Sequence, residues 1–136
     1  MATQKTIAII GALEEVAEKA IGVLKKSGFH LLLFYKQSDE YKRKQLPLAE
    51  EPANIEWVSC PKEASWEADA VILAIPAGEY TEIASDIRFV TTGKPVINIR
   101  NNSISNTALQ QLLPDSVVVY GDVRNVHILL NDFFKR

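Results

Sequence analysis

The first residues of this chain that could bind a ligand lie at a turn near its N-terminus. Residues 5–10 predict a buried strand, Gly11 turns the chain, and residues 13–27 predict a helix. A helix that begins just after such a strand and glycine offers unpaired backbone amides and a positive dipole end. Both features suit the pyrophosphate of a dinucleotide. The pattern therefore predicts a phosphate site at Gly11, Ala12 and Leu13.

The glycine pattern of this turn is incomplete. Dinucleotide-binding turns of this type follow the spacing G-x-G-x-x-G/A, whereas Leu13 and Val16 occupy the second and third glycine positions here. Glu14 and Glu15 also add two negative charges to the first turn of the helix. Two hypotheses stay open. Either these carboxylates occupy the anion-favouring helix start and no phosphate binds, or both point to solvent and leave the site free.

A basic residue ends the second predicted strand, which spans residues 30–36. An acidic residue at this position favours NAD, whereas a cation suits the 2′-phosphate of NADP. Lys36 therefore favours NADP, and the basic residues 42–44 lie close enough in sequence to help. The alternative interpretation is a solvated polar loop, because Asp39 and Glu40 dilute the positive charge.

Strands and helices alternate along the rest of the chain. Further strands are predicted at residues 55–59, 69–75, 94–100 and 116–120, with helices at residues 79–89 and 105–113 and a linker or single helical turn at Pro61–Glu67. This alternation predicts an α/β fold of three layers, the doubly wound Rossmann fold. Its mainly parallel sheet has about six strands in the order 3-2-1-4-5-6.

In that strand order a ligand crevice lies beyond the carboxyl ends of strands one and four. Ala74 and Ile75 end the fourth predicted strand, Pro76 follows it, and all three face Gly11 across this crevice, while Asn98 lies near the end of the fifth strand. Each has a plainer interpretation. Pro76 could simply end its strand, and Asn98 with the polar residues 100–102 could satisfy turn backbone.

Nucleophiles and metal ligands are sparse in the sequence. Cys60 is the single cysteine, so an internal disulfide is excluded, and no helix start or basic neighbour marks it as a reactive thiolate. His30 and His127 are predicted to pack or to lie at the surface, and no cluster has the spacing of metal ligands. Hydride transfer requires no protein nucleophile, so no catalytic residue is assigned.

Length and charge limit the class of protein. The 136 residues predict a single domain spanning residues 1–136. A net charge of −2 gives no general attraction for nucleic acid or anionic lipid. No apolar run approaches the roughly 20 residues that span a bilayer, and no cleavable leader precedes the first strand. We therefore expect a cytoplasmic protein with neither a nucleic-acid partner nor a membrane partner.

The final segment, Val126–Phe134, is apolar enough to need a covering surface. It could form a closing helix that caps the edge of the sheet. Otherwise it could bury against a second copy of the chain, because exposed apolar surface of this size marks an interface. The second interpretation predicts a homodimer in which a partner helps to enclose the crevice.

Most of the chain, roughly residues 5–126, resembles the N-terminal domain of the F420-dependent NADP oxidoreductases and their pyrroline-carboxylate-reductase-like relatives. The segments that carry the resemblance are TIAIIG, GFHLLLFYK, ADAVILAIPAGEYTEI, GKPVINIRN and LPDSVVVYGDVRNV. The resemblance implies NADP as cofactor and hydride transfer to a small acceptor. It places the pyrophosphate at the first turn, the 2′-phosphate at Lys36, and the nicotinamide side at Ala74, Ile75, Pro76 and Asn98.

Two other functions remain open, because two of the three fingerprint glycines are replaced. One is a nucleotide-free Rossmann module that acts as a dimeric scaffold or regulator. The other, which the glutamates at the helix start disfavour, is a domain that senses coenzyme A or another nucleotide.

Overall fold

The computed structural model describes residues 4–12, 15–35, 54–99 and 105–135. Its strands are β1 (Thr6–Ile10), β2 (His30–Phe34), β3 (Ile55–Trp57), β4 (Ala70–Leu73), β5 (Pro95–Asn98) and β6 (Val117–Tyr120). Its helices are α1 (Glu15–Lys26), α2 (Pro61–Glu67), α3 (Tyr80–Ile87), α4 (Asn106–Leu112) and α5 (Val126–Phe134), with a 3₁₀ turn at Ala77–Glu79. Every helix in these described segments is too short or too polar to span a lipid bilayer.

The strands form one parallel sheet in the order β3-β2-β1-β4-β5-β6, which confirms the predicted Rossmann topology. β1 lies in the middle, where Ile9 pairs with Leu33 of β2 on one side and with Ile72 of β4 on the other. The strand order reverses between β1 and β4. In open α/β sheets the ligand crevice lies at this reversal, beyond the carboxyl ends of the strands.

Helices cover both faces of the sheet. Successive residues of a strand point to opposite faces, so Ile7 and Ile9 pack in the cluster beneath α1 and α5, while Ala8 and Ile10 pack in the cluster beneath α2, α3 and α4. All four side chains are fully buried. The continuous apolar sequence of β1 follows from this burial on two sides.

One predicted element is wrong. Pro61–Glu67 is a two-turn helix, α2, and not a linker or single turn. Proline suits the first position of a helix, because its fixed φ fits and its missing N–H has no helical partner there. Tertiary contacts complete the element, since Ala64 and Ser65 are buried against the sheet.

The predicted cap of α4 is confirmed, because Ser105 Oγ accepts a hydrogen bond of 3.1 Å from the Ala108 amide.

The last segment forms α5, a closing helix. It covers the face of the sheet beside α1, whereas the sequence interpretation placed it over the sheet edge. Val126 and Leu130 are fully buried in the cluster on this face. The Phe134 ring lies 6.2 Å from that of Phe29, which precedes β2. The intramolecular core therefore accounts for much of the apolar surface of this segment.

Candidate functional site

Gly11 forms the turn between β1 and α1 and could not be another residue without strain. Its φ is +92°, a backbone conformation that costs residues with a Cβ about 1–2 kcal/mol. A Cβ at this position would lie 2.5 Å from the carbonyl oxygen of Ala74. The first glycine of the predicted pattern is therefore needed both for the turn and for the close approach of β1 to the end of β4.

The backbone amides of the turn are already used. The N–H groups of Gly11 and Ala12 both donate to the carbonyl oxygen of Phe34, at 3.0 and 2.9 Å. These bonds tie the end of β1 to the end of β2. A phosphate at this turn would therefore depend on amides closer to α1, and Leu13 lies outside the described residues.

At the start of α1, Glu15 points away from the turn. Glu15 Oε1 lies 3.6 Å from Lys19 Nζ, one helical turn further on, and the Glu15 side chain is exposed. An exposed pair of this kind contributes little stability, but it directs the carboxylate along the helix surface. For Glu15 the geometry agrees with the hypothesis that leaves the helix start free, while Glu14 is outside the described residues.

The absence of the third fingerprint glycine is compensated by the residue after it. Ala17 is fully buried against the sheet, whereas Val16 is half-buried and lies at the rim. A small residue one position later thus provides the close packing that the third fingerprint glycine usually allows.

A groove with a volume of about 340 Å³ lies beside the start of α1 at the carboxyl edge of the sheet. Glu15, Lys19 and Asp122 supply its charges. Hydrogen bonds from Arg124 lower the pKa of Asp122, and Arg124 Nε lies 3.2 Å from Asp122 Oδ1. The remaining lining residues are Val16, Ile99, Tyr120, Gly121 and Val123.

Gly121, which the sequence analysis did not single out, closes the floor of this groove. A Cβ there would lie 2.5 Å from Ile97 Cγ2 and 3.2 Å from Leu129 Cδ1. Because both neighbours are side chains of other elements, only the assembled packing reveals the need for glycine. Its sequence signal is weak, since a glycine after a strand usually indicates a turn.

The turn after β4 presents little side-chain surface to the crevice. Ala74 and Ile75 are buried, with exposed fractions of 0% and 2%, and Pro76 is half-buried. β4 itself ends at Leu73, before these residues. Ala74 contacts the Gly11 turn through its backbone. Its N–H donates to Ile10 O at 2.9 Å, and its carbonyl group lies against Gly11.

Asn98 is fully buried at the end of β5. Its Oδ1 accepts a 2.8 Å hydrogen bond from the hydroxyl of Tyr80, itself 1% exposed at the start of α3. The side chain therefore packs beneath the crevice. The sequence analysis missed Tyr80, although an asparagine inside an apolar strand signals that a buried partner must exist.

Several predicted residues lie elsewhere. Lys36, the basic residues 42–44 and the polar residues 100–102 fall outside the described residues. Cys60 is the N-cap of α2, so the expectation that no helix begins beside it is wrong.

The two histidines lie on different elements. His30 Nε2 lies 3.7 Å from Glu56 Oε2, and His127 Nδ1 is buried in α5 without a hydrogen-bond partner among the described residues. The described segments contain no group of three or more His, Cys, Asp or Glu residues arranged to hold a metal ion.

No protein-family model matches this sequence, and no curated protein is significantly similar to it. Solved structures do share its fold. A protein from Arthrobacter sp. FB24 assigned as an F420-dependent NADP reductase matches with a TM-score of 0.70 and 16% identity, over 85% of this chain and 61% of its own. At this low identity, the similarity shows that the two proteins share a fold.

Two pyrroline carboxylate reductases also match. The Plasmodium falciparum enzyme, solved with NADP bound, has a TM-score of 0.65 and 10% identity over 85% of this chain and 41% of its own. The enzyme of Coxiella burnetii has a TM-score of 0.67 and 13% identity over 87% of this chain and 43% of its own. The chain thus spans less than two thirds of each neighbour, and these neighbours include the two groups that its sequence segments resemble.

Proposed function

We propose that this chain is a dinucleotide-binding domain that holds NADP at the carboxyl edge of its sheet and serves an oxidoreductase. The observation that carries the proposal is the Gly11 turn. It lies where the strand order reverses, between β1 and β4, and its φ of +92° and its contact with Ala74 are those of a turn that only glycine can make. The fold shared with NADP-dependent reductases supports the same assignment.

Some of the residues at this edge suit a dinucleotide, whereas Leu13 and Val16 stand where two of its usual glycines would be. The Gly11 turn joins β1 to α1 beside the end of β4, and Glu15 is turned aside toward Lys19. The start of α1 would hold the pyrophosphate, Lys36 the 2′-phosphate, and the wall that includes Pro76 the nicotinamide side. When bound, NADPH supplies a hydride to a small acceptor. The chain's own residues bind and orient it, and a partner chain would help to enclose the acceptor.

A second candidate is a nucleotide-free Rossmann module that acts as a scaffold or regulator. The amides of Gly11 and Ala12 favour it, because both are committed to Phe34 O. Leu13 and Val16 at the other two glycine positions favour it as well.

A thermal-shift titration separates the candidates. The chain is heated with millimolar NADPH, NADH, coenzyme A or ADP. A ligand at about 100 times its Kd adds roughly 2.7 kcal/mol to the free energy of unfolding, which raises the Tm of a domain this size by several degrees. We expect the largest shift with NADPH. A response to coenzyme A alone would identify the sensing function, and no response to any ligand would leave the scaffold.

Lys36→Asp is expected to weaken NADPH binding by about tenfold or more, because a hydrogen bond to a charged group contributes roughly 1.5–3 kcal/mol. NADH, which lacks the 2′-phosphate, should bind as before or more tightly. Isothermal titration calorimetry measures both constants. The matched control is Lys135→Asp, which makes the same charge change at an exposed residue beyond the end of α5. Equal loss of NADPH and NADH binding would contradict a role in reading the 2′-phosphate.

The homodimer predicted through Val126–Phe134 is tested at Ile128, which is 51% exposed on α5. If this helix forms the interface, Ile128→Glu is expected to convert a dimer to a folded monomer, because a charge would be buried against apolar surface. Sedimentation velocity measures the change. Asn131→Glu, on the same helix and also exposed, is the control. A wild-type chain that sediments as a monomer at high micromolar concentration would contradict this interface.

A further inference from the structure

A hydroxyl and an amide meet inside the apolar core beneath the crevice. Tyr80 Oη donates to Asn98 Oδ1 at 2.8 Å, and both residues are at most 1% exposed. Tyr80 belongs to the apolar cluster that includes Leu73, Ile75 and Val96. The pair therefore lies between α3 and the sheet, directly under the ends of β4 and β5.

Stability alone does not explain a polar pair at this position. Burying a hydroxyl and an amide removes both from water, and their mutual hydrogen bond offsets this cost with little net gain. Unlike an apolar contact, however, a hydrogen bond has a preferred distance and direction. The pair therefore fixes the relative position of its two backbone segments.

Those segments lie at the carboxyl edge of the sheet next to the strand reversal, where folds of this kind hold their ligand. Tyr80 begins α3 immediately after the 3₁₀ turn Ala77–Glu79, while Asn98 is the last residue of β5. The end of β4 is also bonded to the residue after β5, because Ile99 N–H donates to Leu73 O at 3.3 Å. Ala74, at the other end of the same connection, lies against Gly11. Residues 74–79 are thus held at one end by the Gly11 turn and at the other by Tyr80.

We infer that Tyr80 is a positioning residue that acts through Asn98. Their hydrogen bond holds residues 74–79 as the rigid wall of the crevice and thereby sets the affinity for a dinucleotide. This inference rests on the proposed function for its ligand. The rigidity of the wall is a property of the chain itself and can be measured without one.

The test is a double variant, Tyr80→Phe with Asn98→Leu. It removes both groups of this hydrogen bond and keeps the ring of residue 80 and the branched shape of residue 98, and its Tm is measured beside that of the wild type. We expect its NADPH Kd to rise about tenfold, as for the loss of one hydrogen bond. Amide hydrogen exchange within residues 77–80 should also become faster. Tyr80→Phe alone, which keeps the ring, gives the same comparison if the double variant unfolds without cooperativity.

A second buried polar pair provides the control. Thr91 Oγ1 and Ser116 Oγ lie 2.6 Å apart, fully or nearly buried near the amino edge of the sheet. The double variant Thr91→Val with Ser116→Ala should leave both the NADPH Kd and the exchange of residues 77–80 unchanged. Equal effects of the two double variants would show a general loss of packing and would overturn the inference.

The outcomes also separate this inference from the proposed function. The Tyr80/Asn98 double variant could keep both the NADPH Kd and the amide hydrogen exchange of the wild type. That result would overturn the positioning role and leave the proposed NADP binding intact. If the wild-type chain binds no nucleotide, the proposed function fails and the effect on affinity fails with it. In that case hydrogen exchange alone decides whether the pair holds the wall.

Discussion

Replacing Gly11 by alanine is expected to lower the free energy of unfolding by about 4 kcal/mol, a large part of the stability of a domain this size. The positive φ of +92° accounts for about 1–2 kcal/mol. The larger part comes from the new Cβ, which would lie 2.5 Å from Ala74 O. The Cβ is attached directly to the backbone and Ala74 O is a backbone atom, both just beyond the ends of the two central strands, so neither can move away without disturbing the pairing of β1 with β4.

Gly28→Ala is the matched control for this effect. Gly28 also has a positive φ, +83°, but a Cβ there would meet nothing within 4 Å. The free energy of unfolding of Gly28→Ala should fall only by the conformational cost, about 1–2 kcal/mol. Urea denaturation followed by circular dichroism gives both values, and the difference between them isolates the contact with Ala74. If the two variants lose equal stability, the close approach of β1 to β4 is not what requires glycine at residue 11.

The second large effect concerns the exposed edge of the sheet at β6. Val117 N–H donates to Lys94 O in the neighbouring segment, so the backbone groups of Ser116 and Val118 face outward. The side chain of Gln110 on α4 forms hydrogen bonds with these outward-facing backbone groups. Its Nε2 donates to Ser116 O at 2.8 Å and its Oε1 accepts from Val118 N–H at 3.2 Å. One side-chain amide thus takes the place of a peptide group in an additional strand.

Gln110→Ala is expected to destabilise the fold by about 1–3 kcal/mol, because it removes these bonds and a third to Leu113 O at 2.8 Å. It should also promote self-association. An apolar edge strand with open hydrogen-bonding groups pairs readily with another strand, and Val117 and Tyr120 are already 38% and 51% exposed. Urea denaturation measures the stability, and sedimentation velocity across a concentration series measures the association.

Gln111→Ala controls for the helix itself. Gln111 is the next residue of α4 and is exposed, so the same substitution changes helix propensity equally and removes none of these bonds. It should change neither stability nor association by a measurable amount. Self-association of both variants, or of neither, would contradict the role assigned to Gln110.

The sequence by itself determined the strand order and the place where that order reverses. The alternation of apolar strands with amphipathic helices is local information, and parallel strands with right-handed crossovers leave few arrangements. The same local information marked Gly11, because a glycine between a buried strand and a helix signals a tight turn. It also located Ser105 as a helix cap, which depends only on residues three positions apart.

Tertiary structure alone decided how the residues at the crevice are used. Whether the amides of Gly11 and Ala12 are available depends on where Phe34 O lies, 22 or more residues away in the chain. Asn98 is buried because Tyr80 of α3 reaches it, and Gly121 is required because Ile97 and Leu129 close around it. Pro61–Glu67 became a helix because the sheet buries one side of it. Composition and periodicity report which surface of an element is apolar, whereas hydrogen-bond partners and close contacts between distant segments are fixed only when the elements pack.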